Sequence, residues 1–139
     1  MKASDLLIAS LENEGIDTIF ALPGEENLDM MESIRTSNIT VHLTRHEQSA
    51  VFMAAAHGRL TGQPGVCLTT LGPGATNTMT AVAYAHLGGM PLLLITGQKP
   101  IKDRVQGSFQ VLDIVEMMTP ITKQSSQIIE ARHIPTAIR

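Results

Sequence analysis

Short apolar runs alternate with helix-forming segments along this chain, and this alternation limits the folds open to it. Strands are predicted over residues 17–22, 39–43, 65–70 and 91–96. The last run is apolar from Pro91 to Ile95, which is typical of a strand covered on both faces of a parallel sheet. Because helical segments separate the strands, the sequence predicts a doubly wound parallel α/β sheet with helices on both faces.

The helical segments have recognisable ends. Helices are predicted over residues 4–14, 25–36, 46–61 and 75–87, and glycines follow three of them at Gly15, Gly62 and Gly88. A short strand is predicted near 121–123. A last helix is predicted to begin at Pro135, which leaves about one turn before residue 139, so we expect a domain truncated at its C-terminus.

Length and charge narrow the class of protein. A chain of 139 residues corresponds to one domain, and a hydrophobic fraction of 43% is sufficient for a buried core. The formal net charge is -3 and no basic run occurs. We therefore expect neither a nucleic-acid partner nor an anionic membrane partner.

The sequence predicts a cytoplasmic protein. The longest apolar stretch, residues 50–56, has seven residues, whereas a membrane-spanning helix needs roughly 18. Asp5 interrupts the N-terminal segment before an apolar signal-peptide core can form. The single cysteine, Cys67, cannot form an internal disulfide bond, which favours a reducing compartment.

Glycine and polar residues follow each predicted strand. The sequences at these strand ends are L-P-G-E at 22–25, T-R-H-E at 44–47, T-L-G-P-G-A-T-N at 70–77 and G-Q-K-P at 97–100. Ligands of open parallel sheets bind beyond the carboxyl ends of the strands, so this edge is a candidate site. The G-P-G turn at 72–74 matches neither the dinucleotide fingerprint nor the P-loop, which leaves a phosphate cradle or a tight turn as alternatives.

Taken together, these blocks resemble the N-terminal pyrimidine-binding (PYR) domain of thiamine diphosphate (ThDP) enzymes, and among them the large subunits of acetolactate synthases. The matching blocks are F-A-L-P-G at 20–24, R-H-E-Q at 45–48, G-R-L-T-G at 58–62, G-P-G-A-T-N at 72–77, P-L-L-L-I-T-G-Q at 91–98, F-Q at 109–110 and P-I-T-K at 120–123. They occur in the order of the family over almost the whole chain. The resemblance implies that residues 1–139 form the PYR part of an enzyme whose central and diphosphate-binding domains are absent here.

The resemblance also implies an active site shared between two subunits. This domain would hold the aminopyrimidine ring, and Glu47 matches the catalytic acid of the family. A carboxyl group hydrogen-bonded to N1′ of the ring favours the tautomer that removes the proton from C2 of the thiazolium. The alternative is that Glu47 is only a carboxylate placed favourably at a helix N-terminus.

The resemblance assigns further candidate residues around the cofactor and the substrate. The cofactor-binding candidates are Pro23, Gly24, Glu47, Thr70, Pro73, Asn77 and Gln110. Phe109 and Lys123 are substrate-channel candidates. For Phe109 and Gln110 the alternative is packing within a loop, and for Lys123 it is an ordinary solvated side chain.

No metal site is expected in this chain. The Mg²⁺ and diphosphate motif of the family begins with Gly-Asp-Gly, and no aspartate of this sequence precedes a glycine. The histidines show no ligand spacing, since His42 and His46 straddle a strand end and a helix start, and His57, His86 and His133 lie on separate elements. The resemblance therefore assigns Mg²⁺, and FAD as an optional further group, to the complete enzyme.

Two functions from different classes remain at this point. The first is the aminopyrimidine half-site of an acetolactate synthase-like carboligase, which decarboxylates pyruvate and condenses it with a second 2-oxo acid and is inactive as this chain alone. Its partners would be a diphosphate-binding domain of the same or a neighbouring subunit, within a homo-oligomer. The second is a non-catalytic binding or dimerisation module that uses the apolar faces of helices 46–61 and 75–87.

Overall fold

The computed structural model describes residues 2–99 and 109–139. Within these residues, four strands form one parallel sheet in the order β2-β1-β3-β4. The strands are β1 (Thr18–Ala21), β2 (Thr40–Leu43), β3 (Gly65–Thr69) and β4 (Leu92–Thr96). Each lies inside a predicted run, and the predicted parallel α/β sheet is confirmed.

Helices cover both faces of the sheet. They are α1 (Ala3–Asn13), α2 (Leu28–Arg35), α3 (Glu47–Thr61), α4 (Pro73–Thr76), α5 (Met79–Leu87), α6 (Ile114–Met118) and α7 (Ile134–Ile138). Helices α3 and α5 pack on one face, and α1, α2 and α7 pack on the other. A 3₁₀ turn over Glu25–Asn27 precedes α2, within the predicted helix 25–36.

Alternate side chains of each strand enter opposite halves of the core. Phe20 and Cys67, which are paired across β1 and β3, pack under α3 and α5. Ile19, Val66 and Leu68 pack against the helices of the other face. Since both faces are covered, the strands at the centre of the sheet carry few polar residues.

The predicted helix 75–87 is two helices. Pro73 occupies the first turn of α4, so this helix begins earlier than predicted. The amide of Thr78 donates to the carbonyl oxygen of Ala75 at 3.1 Å and its hydroxyl donates to the same oxygen at 2.6 Å. These tight bonds close α4 before α5 begins at Met79.

The predicted strand near 121–123 is wrong. Thr119–Ile121 forms a 3₁₀ turn that contains Pro120, and it directly follows α6, which was not predicted. The sequence does carry a signal for α6, because the Asp113 carboxylate caps it by accepting from the amide of Glu116 at 2.9 Å. Ile114 and Met118 then supply buried positions at a four-residue spacing.

Two glycines allow α3 to lie directly on the sheet. A Cβ atom at Gly65 would overlap the carbonyl oxygen of Ala54 in α3, and one at Gly58 would overlap the carbonyl oxygen of Pro91. Both obstacles are backbone atoms, which cannot rotate away. The distance between α3 and β3 is therefore shorter than side chains at these positions would permit.

We predict that Gly65→Ala lowers the free energy of unfolding by about 3 kcal/mol, because the new methyl group pushes α3 off the sheet. Gly15→Ala is the matched control, since Gly15 has a positive φ of 82° but no atom within 4 Å of an added Cβ. Its loss should be limited to backbone strain of about 1 kcal/mol. Urea unfolding followed by circular dichroism measures both, and equal losses would contradict the close contact.

A second prediction concerns pH. Burial, with a smaller effect from the Glu47 carboxylate, raises the pKa of Cys67 from its usual 9.0 to about 12. Between these values the folded chain keeps the thiol proton and the unfolded chain loses it, so stability falls as pH rises above 9.0. The contribution is at most about 1.4 kcal/mol per pH unit. Unfolding free energies measured from pH 8 to 11 should fall less steeply for Cys67→Ala than for the wild type, and parallel curves would refute the prediction.

Candidate functional site

The strand order creates a crevice at one edge of the sheet. The connection that follows β1 leads through α2 to β2 on one side, whereas the connection that follows β3 leads through α4 and α5 to β4 on the other. Adjacent parallel strands whose connections leave in opposite directions open a crevice at their carboxyl ends. The candidate site therefore lies between the ends of β1 and β3.

The turns that follow these two strands touch each other. A Cβ atom at Gly24, after β1, would lie 2.5 Å from Cγ2 of Thr70, which follows β3. Asn27 is only 1% exposed, and its Oδ1 accepts from the amide of Gly24 at 3.0 Å. Sequence reasoning missed Asn27, although an asparagine three residues after a glycine and directly before a helix is a signal for such a turn.

Glu47 arrives at this crevice from α3. The helix connects β2 to β3 across β1, so its first residue lies at the carboxyl edge of the sheet. His46 caps the helix, with Nδ1 accepting from the amide of Gln48 at 3.1 Å. The Glu47 side chain is half-buried and does not point into bulk solvent.

The Glu47 carboxylate is bracketed by the G-P-G-A-T-N segment. Its Oε2 accepts from Nδ2 of Asn77 at 3.0 Å. A Cβ atom at Gly74 would lie 3.5 Å from Oε1 and would overlap Oγ1 of Thr70. These contacts define one group of neighbours, called the Glu47 cluster below, which consists of Gly24, Glu47, Thr70, Gly74 and Asn77.

The electrostatic character of the Glu47 cluster is simple. Glu47 is its only charged side chain, and the positive end of the α3 dipole lies beside the carboxylate. The negative charge of Glu47 also contributes to the raised pKa of Cys67 in β3. The cluster therefore combines one carboxylate, one amide, one hydroxyl and the backbone of two glycines, Gly24 half-buried and Gly74 buried, and its polar side chains are groups that can form hydrogen bonds with a small polar ring.

Gln110 reaches the same edge through its backbone. A Cβ atom at Gly72 would lie 2.5 Å from the carbonyl oxygen of Gln110, which has a positive φ of 62°. Gln98, after β4, holds this segment by donating from Nε2 to the carbonyl oxygen of Leu112 at 2.9 Å. Phe109, beside Gln110, is 81% exposed.

The remaining candidates differ in their position. Pro23 and Pro73 lie in the two turns at the crevice and are exposed. Lys123 is exposed, and in the described part of the chain it makes no hydrogen bond or ion pair to the Glu47 cluster. The structure thus brings together all the cofactor candidates at one edge and leaves Lys123 outside the cluster.

Other surfaces offer less chemistry. An open groove of about 720 Å³ lies between α2 and β2, lined by Met31, Ile34, Arg35, Val41 and their neighbours, away from the Glu47 cluster. Among residues 2–99 and 109–139, no three His, Cys, Asp or Glu side chains are grouped as metal ligands. None of the helices described has both the length and the apolar character to cross a bilayer.

Comparison with known proteins identifies relatives. The chain is 40% identical over 138 residues to "Acetolactate synthase, chloroplastic" of Arabidopsis thaliana. This alignment covers 99% of the present chain and 21% of the plant protein. It is also 39% identical over 139 residues to "Probable acetolactate synthase large subunit" of Methanocaldococcus jannaschii. That alignment covers 100% of the present chain and 24% of the relative. The chain thus spans about a fifth to a quarter of the length of these relatives.

Residues 1–117 match the family model described as "Thiamine pyrophosphate enzyme, N-terminal TPP binding domain". The match includes β1 to β4 and every residue of the Glu47 cluster. Since this region makes up most of the chain, the sequence, the parallel sheet and the relatives agree on one conclusion: the chain belongs to the family of the N-terminal TPP-binding domain of thiamine pyrophosphate enzymes.

Proposed function

We propose that this chain binds the aminopyrimidine end of ThDP and forms one half of the catalytic site of an acetolactate synthase-like carboligase. The observation that carries the proposal is the position of the Glu47 carboxylate, held at the crevice between β1 and β3 by Asn77 and beside Gly74. The family match and the acetolactate synthase relatives support the same assignment. Glu47 is the proposed catalytic residue.

The Glu47 cluster fits an aminopyrimidine. At both Gly24 and Gly74 a Cβ atom would collide with Thr70, so the lack of side chains lets these two turns pack on Thr70 beside Glu47. A flat ring that lies against such backbone can place a ring nitrogen beside the carboxyl group. The proposed cofactor contacts are Pro23, Gly24, Glu47, Thr70, Pro73, Asn77 and Gln110, and the proposed substrate-channel residues are Phe109 and Lys123.

When bound, ThDP supplies the nucleophilic carbon for decarboxylation of pyruvate and condensation with a second 2-oxo acid. The chain contributes binding and proton transfer. The Glu47 carboxyl would share a proton with a nitrogen of the bound ring, which is general acid-base catalysis by a positioned side chain. Thr70 and the two glycine turns would hold the ring against Glu47.

The proposal extends to partners. Leu60 in α3 and Leu87 in α5 are each 86% exposed, and Met53 and Tyr84 on the same helices are also exposed. Exposed apolar side chains of this size are typical of surfaces that another domain covers. We assign this face to a diphosphate-binding domain of the same or a neighbouring subunit, within a homo-oligomer that also holds Mg²⁺ and, where it is used, FAD. The cytoplasmic location stays a prediction.

The same exposed face favours a second candidate. A non-catalytic module that dimerises through α3 and α5 would also bury Leu60 and Leu87. The two candidates differ in what they require of Glu47. A carboligase half-site needs its carboxyl group, whereas a dimerisation module does not.

We predict that Glu47→Gln lowers kcat for acetolactate formation by about 10²- to 10⁴-fold, because an amide cannot exchange the proton. The assay mixes this chain with the separately expressed remainder of an acetolactate synthase and supplies ThDP, Mg²⁺ and pyruvate. Without that remainder the chain should be inactive. Glu116→Gln, on the exposed side of α6, is the matched control and should leave kcat unchanged.

Two outcomes would contradict the proposal. Activity that survives Glu47→Gln would remove this residue from catalysis. A folded wild-type chain that dimerises in sedimentation but restores no activity with the remainder would favour the non-catalytic module instead.

A further inference from the structure

The two oxygens of the Glu47 carboxylate have different surroundings. Oε2 accepts a hydrogen bond from Nδ2 of Asn77 at 3.0 Å. Oε1 lies on the side of Gly74, where an added Cβ would come within 3.5 Å of it. Asn77 ends α4 and Glu47 begins α3, so the bond joins segments that follow different strands.

The amide of Asn77 can meet the carboxylate in only one orientation. Its NH₂ group has two donors and no acceptor, whereas its carbonyl oxygen would repel a carboxylate oxygen. The backbone N–H of Asn77 donates to the carbonyl oxygen of Pro73 at 3.0 Å, which fixes the backbone of this residue at the end of α4. The side chain is therefore presented to Glu47 from the end of a short, closed helix.

This contact makes the two carboxylate oxygens unequal as proton carriers. A proton on Oε2 would face the hydrogen atoms of the Asn77 amide, which cannot accept it. Oε1 has no such donor from Asn77 and lies beside Gly74 and Thr70 at the crevice. When the carboxyl group is neutral, its proton is accordingly carried by Oε1.

We infer that Asn77 is a positioning residue: it holds Glu47 so that Oε1 is the oxygen that exchanges a proton with the bound ring. This inference rests on the function proposed above. Asn77 then acts through Glu47 in addition to lining the crevice. Its removal should slow the proton transfer more than it weakens cofactor binding.

The contact itself is tested on the ligand-free chain by NMR. In ¹H–¹⁵N spectra, one side-chain proton of Asn77 should lie downfield at neutral pH because it donates to a carboxylate. Glu47→Gln should move this signal upfield. Thr76→Ala is the control, since Thr76 belongs to α4 and its hydroxyl bonds only to the carbonyl oxygen of Pro73, so it should leave the signal in place. If the chemical shift of the Asn77 side-chain proton is unchanged in Glu47→Gln, the inference is overturned.

The role is tested by kinetics in the complemented enzyme. Asn77→Ala should lower kcat by about tenfold or more, the value of a hydrogen bond to a charged group, while the Kd of ThDP rises by a smaller factor. In Asn77→Asp the introduced carboxyl donates only when it is protonated. The kcat of this variant should therefore rise toward that of the wild type as pH falls, whereas that of Asn77→Ala stays low.

The outcomes separate this inference from the proposed function. If Glu47→Gln abolishes activity but both Asn77 variants retain wild-type kcat, the inference fails and the proposed function stands. If the Asn77 variants lose ThDP affinity and keep kcat, Asn77 acts only as a cofactor contact and the positioning role is overturned. If Glu47→Gln retains activity, the proposed function fails, while the NMR experiment still decides whether the contact exists.

Discussion

The direct contact between α3 and β3 is the constraint on which the rest of the site depends. Gly65 and Gly58 remove the side chains that would separate the helix from the sheet, and Ala50 and Ala54 are fully buried in the interface. A helix that lies this close cannot shift or rotate without a backbone collision. Its first residue, Glu47, therefore has a fixed position at the sheet edge, which is the precision that a proton-transferring group requires.

The strand order adds the second requirement, an opening beside that residue. With β1 and β3 adjacent and their connections leaving in opposite directions, the carboxyl ends of these strands border a crevice. The turns at Pro23 and Pro73 border the crevice, and the glycines beside them let both turns pack closely on Thr70. The half-buried carboxylate consequently lies at the carboxyl ends of the strands, beside the turn that follows β3.

Most of the architecture and part of the site could be predicted from the sequence. The strands were found because apolar β-branched runs and glycine turns are local signals, and the cluster was found because parallel strands end at one edge. The division between α4 and α5 was missed because it depends on the hydrogen bonds of Thr78. The strand near 121–123 was wrongly predicted because the β-branched pair Ile121-Thr122 beside Pro120 does not indicate whether a neighbouring strand is available. The pairing of Asn77 with Glu47, 30 residues apart, is a tertiary contact without a local signal.

The short helix α4 carries both neighbours of the carboxylate, since Gly74 lies in its first turn and Asn77 directly follows it. The two neighbours are thus mechanically coupled, because a single turn of helix moves as a unit. Any displacement of α4 would change the space at Oε1 and the hydrogen bond at Oε2 together. Accommodating a ring of another size would accordingly require a new path for this whole turn, and no exchange of one side chain could achieve it.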